Sequence, residues 1–231
     1  MKINIYHLIE GAKKARGLTV IIDVFRAYSM EAYLLNSGAE KIIPLADKTL
    51  AYKLKEENPD MILAGERHGK ILPGFDTGNA PSKIGNLNLK GKTVIHTTSA
   101  GTQGIANAIF ADEILGAALV NAKATARYIK EKNPETVSLV CMGNEGVSPN
   151  AEDTLCAEYI KSLLLDNPLN MDMELEKLKF SPDSQKFFDP NQQSVFPKED
   201  YPLCTDLNRF DFILKYQKNG ENSGFITKMT L

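Results

Sequence analysis

The chain has 231 residues, 43% of them hydrophobic and 24% charged, with a formal net charge of −2. That length suits one sizeable α/β domain, and that composition excludes a disordered chain. The slight acidity supplies no basic stripe for a nucleic acid, and no apolar run approaches the length of a membrane span.

The start, MKINIYHLIEGAKKARG, lacks the unbroken apolar core of a secretory leader, and no element is assigned to residues 1–17. LTVIIDV (18–24) is a β-branched run ending in an acid and predicts a buried strand. SMEAYLLNSG (29–38) has helical spacing and a glycine stop. KIIPL (41–45) is strand-like. Asp47 is placed to cap a helix over 48–58, which Pro59 closes. MILAG (61–65) predicts another buried strand and runs straight into GERHGKILPGFDTGNAP (65–81). A strand over 92–98, a turn at 99–101 and a helix over 102–110 follow. Then come a strand at 113–117, an amphipathic helix at 120–133, a strand at 136–143 and, after NEGVSPN, a helix at 151–165. This alternation implies an α/β fold, a largely parallel or mixed sheet with helices on its faces.

Residues 166–231 change character, becoming rich in Pro, Asn, Asp and Phe. One short helix is expected at 171–179, and RFDFILKYQ (209–217) with SGFITKM (223–229) predicts a closing hairpin around KNGEN. We read 166–231 as a C-terminal extension packed on a single domain spanning 1–231. Phe187, Phe188, Phe196, Phe210 and Phe212 are its packing residues.

Cys141, Cys156 and Cys204 are odd in number and form no CxxC pair, which argues against a disulfide framework and for a reducing, cytoplasmic setting. His7, His68 and His96 give no zinc spacing with them.

Ligands of such sheets bind where loops leave the carboxyl ends of strands. Four of these loops are polar or glycine-rich, following Val24, Ala64, Thr98 and Met142. In the first, Asp23 ends a hydrophobic strand and Arg26 follows it. A carboxylate there suits a metal ligand or a nucleophile in phosphoryl chemistry, or simply a helix cap. The second Asp of a haloacid-dehalogenase signature is absent, Phe25 standing in its place. The second loop carries Glu66, Arg67, His68, Asp76 and Asn79 among glycines that let backbone approach a ligand. It is long for a structureless connection, which favours function, and it is not a Walker loop. Asp76 and Asn79 are expected to fold it back by bonding its own backbone. In the third, Thr97, Thr98, Ser99 and Thr102 surround Gly101, a natural anion site or a capped turn. In the fourth, Glu152 and Asp153 open a helix, where the dipole favours acids. Cys156 reads as a small buried residue, with a cysteine nucleophile as the lesser option. His96, mid-strand, reads as a satisfied core histidine.

Taken in order and spacing, VIIDVFRAYS, GERHGKILPGFDTGNAP, TTSAGTQ, the GNEG…EDTLCAEYI run and LCTDLNRFDFILKY resemble the 2-phosphosulfolactate phosphatase family over most of the chain. The resemblance implies a three-layer α/β/α fold and a Mg²⁺-dependent phosphatase of a three-carbon sulfonate phosphate ester, on the route to coenzyme M. Asp23, Arg26, Glu66, Arg67, Asp76, Asn79, Thr97, Thr98, Gly101, Thr102, Asp153 and Cys156 fall on its motif positions. Family members resemble TTTNGTRA where this chain has TTSAGTQG, so Ala100 replaces Asn and Gln103 replaces Arg.

The expectation is therefore a hydrolase of a small anionic phosphate ester. Asp23, Glu66, Arg67, Asp153 and Cys156 are the catalytic candidates, and Asp23, Glu66 and Asp153 the Mg²⁺ ligands. Arg26, Asn79, Thr97, Thr98, Ser99, Gly101, Thr102 and Gln103 would hold substrate. Because of Ala100 and Gln103, a non-catalytic anion-binding relative is the alternative, and another metal-dependent enzyme such as an isomerase a third reading. A homo-oligomer is left open.

Overall fold

The structure, a computed structural model, describes residues 1–167, 169–220 and 223–231. In chain order its elements are β1 (Lys2–His7), α1 (Leu8–Lys14), β2 (Gly17–Ile22), α2 (Ala27–Asn36), β3 (Lys41–Pro44), α3 (Lys48–Glu57), β4 (Ile62–Arg67) and β5 (Lys70–Ile71). Then come β6 (Thr93–Thr97), α4 (Gly101–Asn107), β7 (Ala111–Ala117), α5 (Ala122–Lys132), β8 (Thr136–Cys141) and α6 (Ala151–Leu164). The chain closes with α7 (Met171–Lys179), α8 (Pro182–Gln185), α9 (Asp200–Thr205), β9 (Phe212–Lys218) and β10 (Gly224–Thr230). The fold is α/β, a large mixed sheet flanked by helices, consistent with three α/β/α layers. Among the described residues no helix is long and apolar enough to cross a membrane.

The expected strands and helices form, most with ends shifted by one to three residues. Residues 1–17, unassigned from sequence, make β1 and α1, and β1 pairs in parallel with β8 from Lys2↔Thr136 to His7↔Cys141. The short helices α8 and α9 were also not anticipated. Asp47 does cap α3, its Oδ1 accepting from the Thr49 amide at 2.8 Å.

The sheet runs β1-β8-β2-β7-β9-β10-β3-β6-β4-β5. β1, β8, β2 and β7 form one parallel block, and β3, β6 and β4 another. The C-terminal hairpin lies between them, antiparallel to β7 on one side and to β3 on the other. It joins the blocks at the middle of the sheet, a placement that no feature of its own sequence reveals. Its strands pair from Gly224↔Lys218 to Thr230↔Phe212. Glu221 and Asn222, part of the expected turn, lie outside the described residues.

Three antiparallel pairings in succession reverse the direction of one block relative to the other. Strand twist offsets this. At about 20–25° per pair, the five steps from β2 to β6 accumulate roughly 100–125°. The loops after β2 and β8 of one block and after β4 and β6 of the other line a common cavity.

Helix α2 ties the two blocks together. Its sequence AYSMEAYLLN has no β-branched residue, and it ends at Gly38 (φ 105°), where the Ala39 amide returns to the Leu34 carbonyl at 3.2 Å. Met30, Leu34 and Leu35 are fully buried, each contributing roughly 1.5–3 kcal/mol. Tyr28 packs on Gly116 of β7, and its hydroxyl donates to the Gly101 carbonyl at the start of α4 at 3.2 Å. A smaller apolar cluster of Ala51, Leu63, Leu72, Phe75 and Ile95 anchors the base of the 65–81 loop.

Candidate active site

All four strand-end loops line one cavity of about 350 Å³. The loop after β2 brings Asp23, Phe25 and Arg26, and the loop after β4 brings Glu66, His68, Gly69 and Asn79. Thr98, Ser99 and Ala100 come from the loop after β6, and Gly143, Asn144 and Glu145 from the loop after β8. Lys186 and Phe196 of the C-terminal extension complete the wall.

Asp23 stands at the tip of β2, 6% exposed. Its Oδ1 accepts from the Ala27 amide at 3.0 Å, fixing the carboxylate to the first turn of α2. Its Oδ2 receives no donor from the described residues and sits beside Gly101. A Cβ on Gly101 would meet this oxygen at 3.1 Å and the Ala27 Cβ at 2.8 Å, so the glycine lets α4 begin against the carboxylate. Burial, with Asp153 and Glu66 nearby, pushes the Asp23 pKa up to about 7, although the Ala27 amide and His96 favour the anion.

Asp153 lies behind the cavity rather than in its lining. Its Oδ1 accepts from Val24 N and its Oδ2 from Gly143 N, each at 2.8 Å. The carboxylate thus clamps the β2 and β8 loops together. Burial raises its pKa to about 6 despite these two bonds. Glu66 does the same for two other loops. Its Oε1 accepts from Ser99 N at 2.7 Å, and its Oε2 from Gly69 N at 2.7 Å and Ser99 Oγ at 3.2 Å. Gly69 has φ 75°, and a Cβ there would strike Val195 at 2.7 Å and Phe196 at 2.8 Å.

Arg26 is buried at the cavity wall. Its Nη1 bonds Asp200 Oδ2 at 2.7 Å, and the other Asp200 oxygen accepts from Ser82 N at 2.9 Å. The guanidinium also lies 4.8 Å from the Phe196 ring centre. At the mouth, the exposed His68 and Glu145 side chains meet at 2.7 Å and bridge the second and fourth loops.

Several candidates are placed elsewhere. Arg67 follows Glu66 directly on β4, so their side chains leave opposite faces. Its guanidinium donates to the Glu66 and Ala46 carbonyls at 2.7 and 2.9 Å, which staples the strand. Cys156 is fully buried, and burial pushes its thiol well above the ordinary range. Thr98 and Thr102 bond one another reciprocally, Thr102 Oγ1 donating to the Thr98 carbonyl at 3.0 Å. Thr97 is buried, and its hydroxyl has no partner among the described residues. Of these, only Thr98 joins the lining, and Gln103 is also outside it.

Asp76 ties the second loop back, but to β4 and not to the loop's own backbone, its Oδ2 accepting from Leu63 N at 2.8 Å. Asn79 does not bond the loop's own backbone either. Its Oδ1 faces His96 Nε2 at 3.2 Å, because His96 on β6 lies directly beneath the loop. The other ring nitrogen of this buried histidine meets Glu31 Oε1 at 2.9 Å.

Among the described residues no three His, Cys, Asp or Glu side chains converge as a metal cage. Asp23, Glu66 and Asp153 therefore do not form the expected three-carboxylate ligand set. Two of them are committed to loop amides, and Asp23 alone keeps a donor-free oxygen at the cavity. That arrangement fits a cation held by one or two carboxylates, with water and a substrate oxygen completing its shell.

Residues missed from sequence include Phe25, Asn144, Glu145 and Phe196 of the lining and, most consequentially, the charged residues Lys186 and Asp200. Both lie in the extension, where no strand-to-loop pattern marks a ligand side. The flanking Phe187 and Phe188 read only as packing.

The cavity gathers acidic, basic and hydroxyl side chains on strand-end loops of an α/β sheet. The sequence profile described as 2-phosphosulpholactate phosphatase matches residues 3–219. A probable 2-phosphosulfolactate phosphatase of Bacillus subtilis (strain 168) is 31% identical, over 96% of each chain. One of Caldanaerobacter subterraneus subsp. tengcongensis is 32% identical over 87% of this chain and 88% of its own. Another, of Carboxydothermus hydrogenoformans, is 38% identical over 72% and 68%. The chain belongs to the 2-phosphosulpholactate phosphatase family, a family of phosphatase-like hydrolases.

Proposed function

We propose that the protein is a Mg²⁺-dependent hydrolase of a small acidic phosphate monoester, converting 2-phosphosulfolactate and water to sulfolactate and phosphate. The observation that carries this reading is the charge balance of the cavity. Asp23, Glu66 and Glu145 face it, against Arg26, Lys186 and the His68 ring. Arg26 is already neutralised by Asp200 and His68 is engaged by Glu145. An anionic ester entering such a site needs a further cation. Asp23 through Oδ2, with Glu66 beside it, would hold Mg²⁺, which supplies Lewis-acid polarisation of the phosphoryl group and a more acidic water.

The chain's own groups do the rest. Arg26, fixed by Asp200 through one nitrogen, presents the preorganised N–H donors of the rest of its guanidinium to the phosphoryl oxygens. Thr98 and Ser99 bring hydroxyls to the same wall. Phe25 and Phe196 cover the cavity with apolar surface and limit water. Glu66 and Asp153 hold the four loops in register, so the reacting groups need no reorganisation.

The reading as a non-catalytic relative rested on Ala100 and Gln103. Ala100 does line the cavity, but Gln103 does not, so its lost charge is not lost from the lining. The free, buried cysteines support a cytoplasmic setting, and the family resemblance supports a role on the route to coenzyme M. The test is phosphate release from 2-phosphosulfolactate with and without Mg²⁺. Metal-independent turnover, or full activity in Asp23→Ala, would sink this assignment.

A further inference from the structure

We propose that Lys186 is the specificity-determining residue for the acidic group of the substrate that is not the phosphate, a carboxylate or a sulfonate. The inference rests on the reading of the cavity as a phosphate-ester site. Lys186 lies just beyond α8, in a segment that contributes nothing to the sheet, yet its side chain joins the lining that contains Asp23, Arg26 and Glu66.

Its seat is built. The ammonium lies 5.1 Å from the Phe196 ring centre, 5.7 Å from Phe187 and 5.8 Å from Phe25. These rings pack edge to face, Phe25 on Phe187 at 4.9 Å and Phe187 on Phe196 at 5.8 Å. Ring faces attract a cation without cancelling its charge. They hold the ammonium in place and leave it positive.

That charge is uncommitted. Among the described residues no carboxylate lies within ion-pair distance of Lys186, whereas Arg26, which shares the Phe196 ring, is spent on Asp200 at 2.7 Å. The two cations of the wall therefore differ in kind. Arg26 is fixed and neutralised, while Lys186 is held but free to pair with an incoming anion. Lys186 enters the cavity from the C-terminal extension, and Asp23, where phosphate and Mg²⁺ would sit, enters it from the tip of β2, two different parts of the wall. A diacid ester spans both parts.

The experiment is calorimetric titration of the full-length wild type, Lys186→Met and Lys186→Arg, in Mg²⁺, with sulfolactate and separately with inorganic phosphate. Lys186→Met is expected to weaken sulfolactate by about ten-fold or more and phosphate by less than about two-fold, with Lys186→Arg restoring most of the sulfolactate affinity. Equal losses on both anions, an unchanged sulfolactate affinity, or a wild type that does not bind sulfolactate would overturn the proposal. Thermal unfolding of both variants checks that the fold is kept, and Lys186→Gln replaces Lys186→Met if that variant does not fold. Phosphate release by the wild type is measured alongside. A wild type that binds sulfolactate through Lys186 but cleaves no ester would refute the hydrolase reading and leave this one standing.

Discussion

The carboxylate of Asp153 accepts the backbone amide of Val24 at 2.8 Å, across 129 positions of sequence. Its other oxygen takes Gly143 N at the same distance, so one side chain fixes the geometry between the Asp23 loop and the Gly143 loop. Asp153→Asn keeps one acceptor but turns an amide N–H toward the second backbone N–H. A buried donor left facing a donor costs about 1–3 kcal/mol. The variant is expected to lose that much stability in urea unfolding and to show a lower kcat, because Asp23 and Gly143 are no longer held in register. Wild-type stability in Asp153→Asn would refute the clamp.

Asp23 makes metal-free protein sensitive to pH in a direction that follows from its burial. Its folded pKa, about 7, lies above the ordinary carboxylate value of 3.8. The folded state therefore holds a proton that the unfolded state has lost, and stability falls as pH rises from about 4 to about 7. Asp153, at about 6, adds a slope of the same sign. Without divalent cation, the wild type is expected to melt at a lower temperature at pH 8 than at pH 5. Asp23→Asn removes the charge while its side-chain oxygen still accepts from Ala27. It should melt higher than wild type at pH 8, by an amount on the order of a few kcal/mol in stability, and lose turnover. Mg²⁺ should raise the wild-type melting temperature more at pH 8 than at pH 5. A flat pH profile in the absence of metal would contradict the assignment.

These two carboxylates also show what the sequence could convey. Asp23, Glu66 and Ser99 were legible as site elements because each stands at the end of an apolar run that had to be a buried strand. Loops at strand ends are where such sheets expose polar groups. Side-chain direction was not legible. Arg67 stands next to Glu66, but consecutive strand residues point to opposite faces, so the motif pair splits into one lining residue and one backbone staple. Cys156 shares the first turns of α6 with Asp153 but faces the core. The contribution of the extension was hidden more deeply. Lys186 and Asp200 reach the site through tertiary packing of short helices, and the β9–β10 hairpin is recognisable as a hairpin while its place between β7 and β3 is not.

Burial also decides the role of Cys156. The thiol is fully inaccessible, and burial together with Asp153 and Cys141 pushes it well above the ordinary range, so thiolate is scarce at neutral pH. Cys156→Ala should retain kcat within about three-fold and lose roughly 1 kcal/mol of stability from the small void. Iodoacetamide on native protein should leave phosphate release intact, since Cys141 and Cys204 are buried as well. Rapid inactivation tracking modification of Cys156 would restore a cysteine mechanism.

The Arg26–Asp200 pair connects the extension to the chemistry. Both side chains are almost wholly buried, 3% and 0% exposed, and meet at 2.7 Å. Removing one member leaves the other charged and unsolvated, at a cost of about 3–5 kcal/mol. Asp200→Ala is therefore expected to destabilise the protein by that amount. It also releases the Ser82 amide that the second Asp200 oxygen holds at 2.9 Å. The paired replacement Arg26→Met with Asp200→Leu should recover much of the stability, since two apolar side chains need no partner there. It should not recover turnover, because the preorganised guanidinium donors are gone. Stability and activity would then separate in the double variant. Recovery of both would show that the pair serves the fold alone.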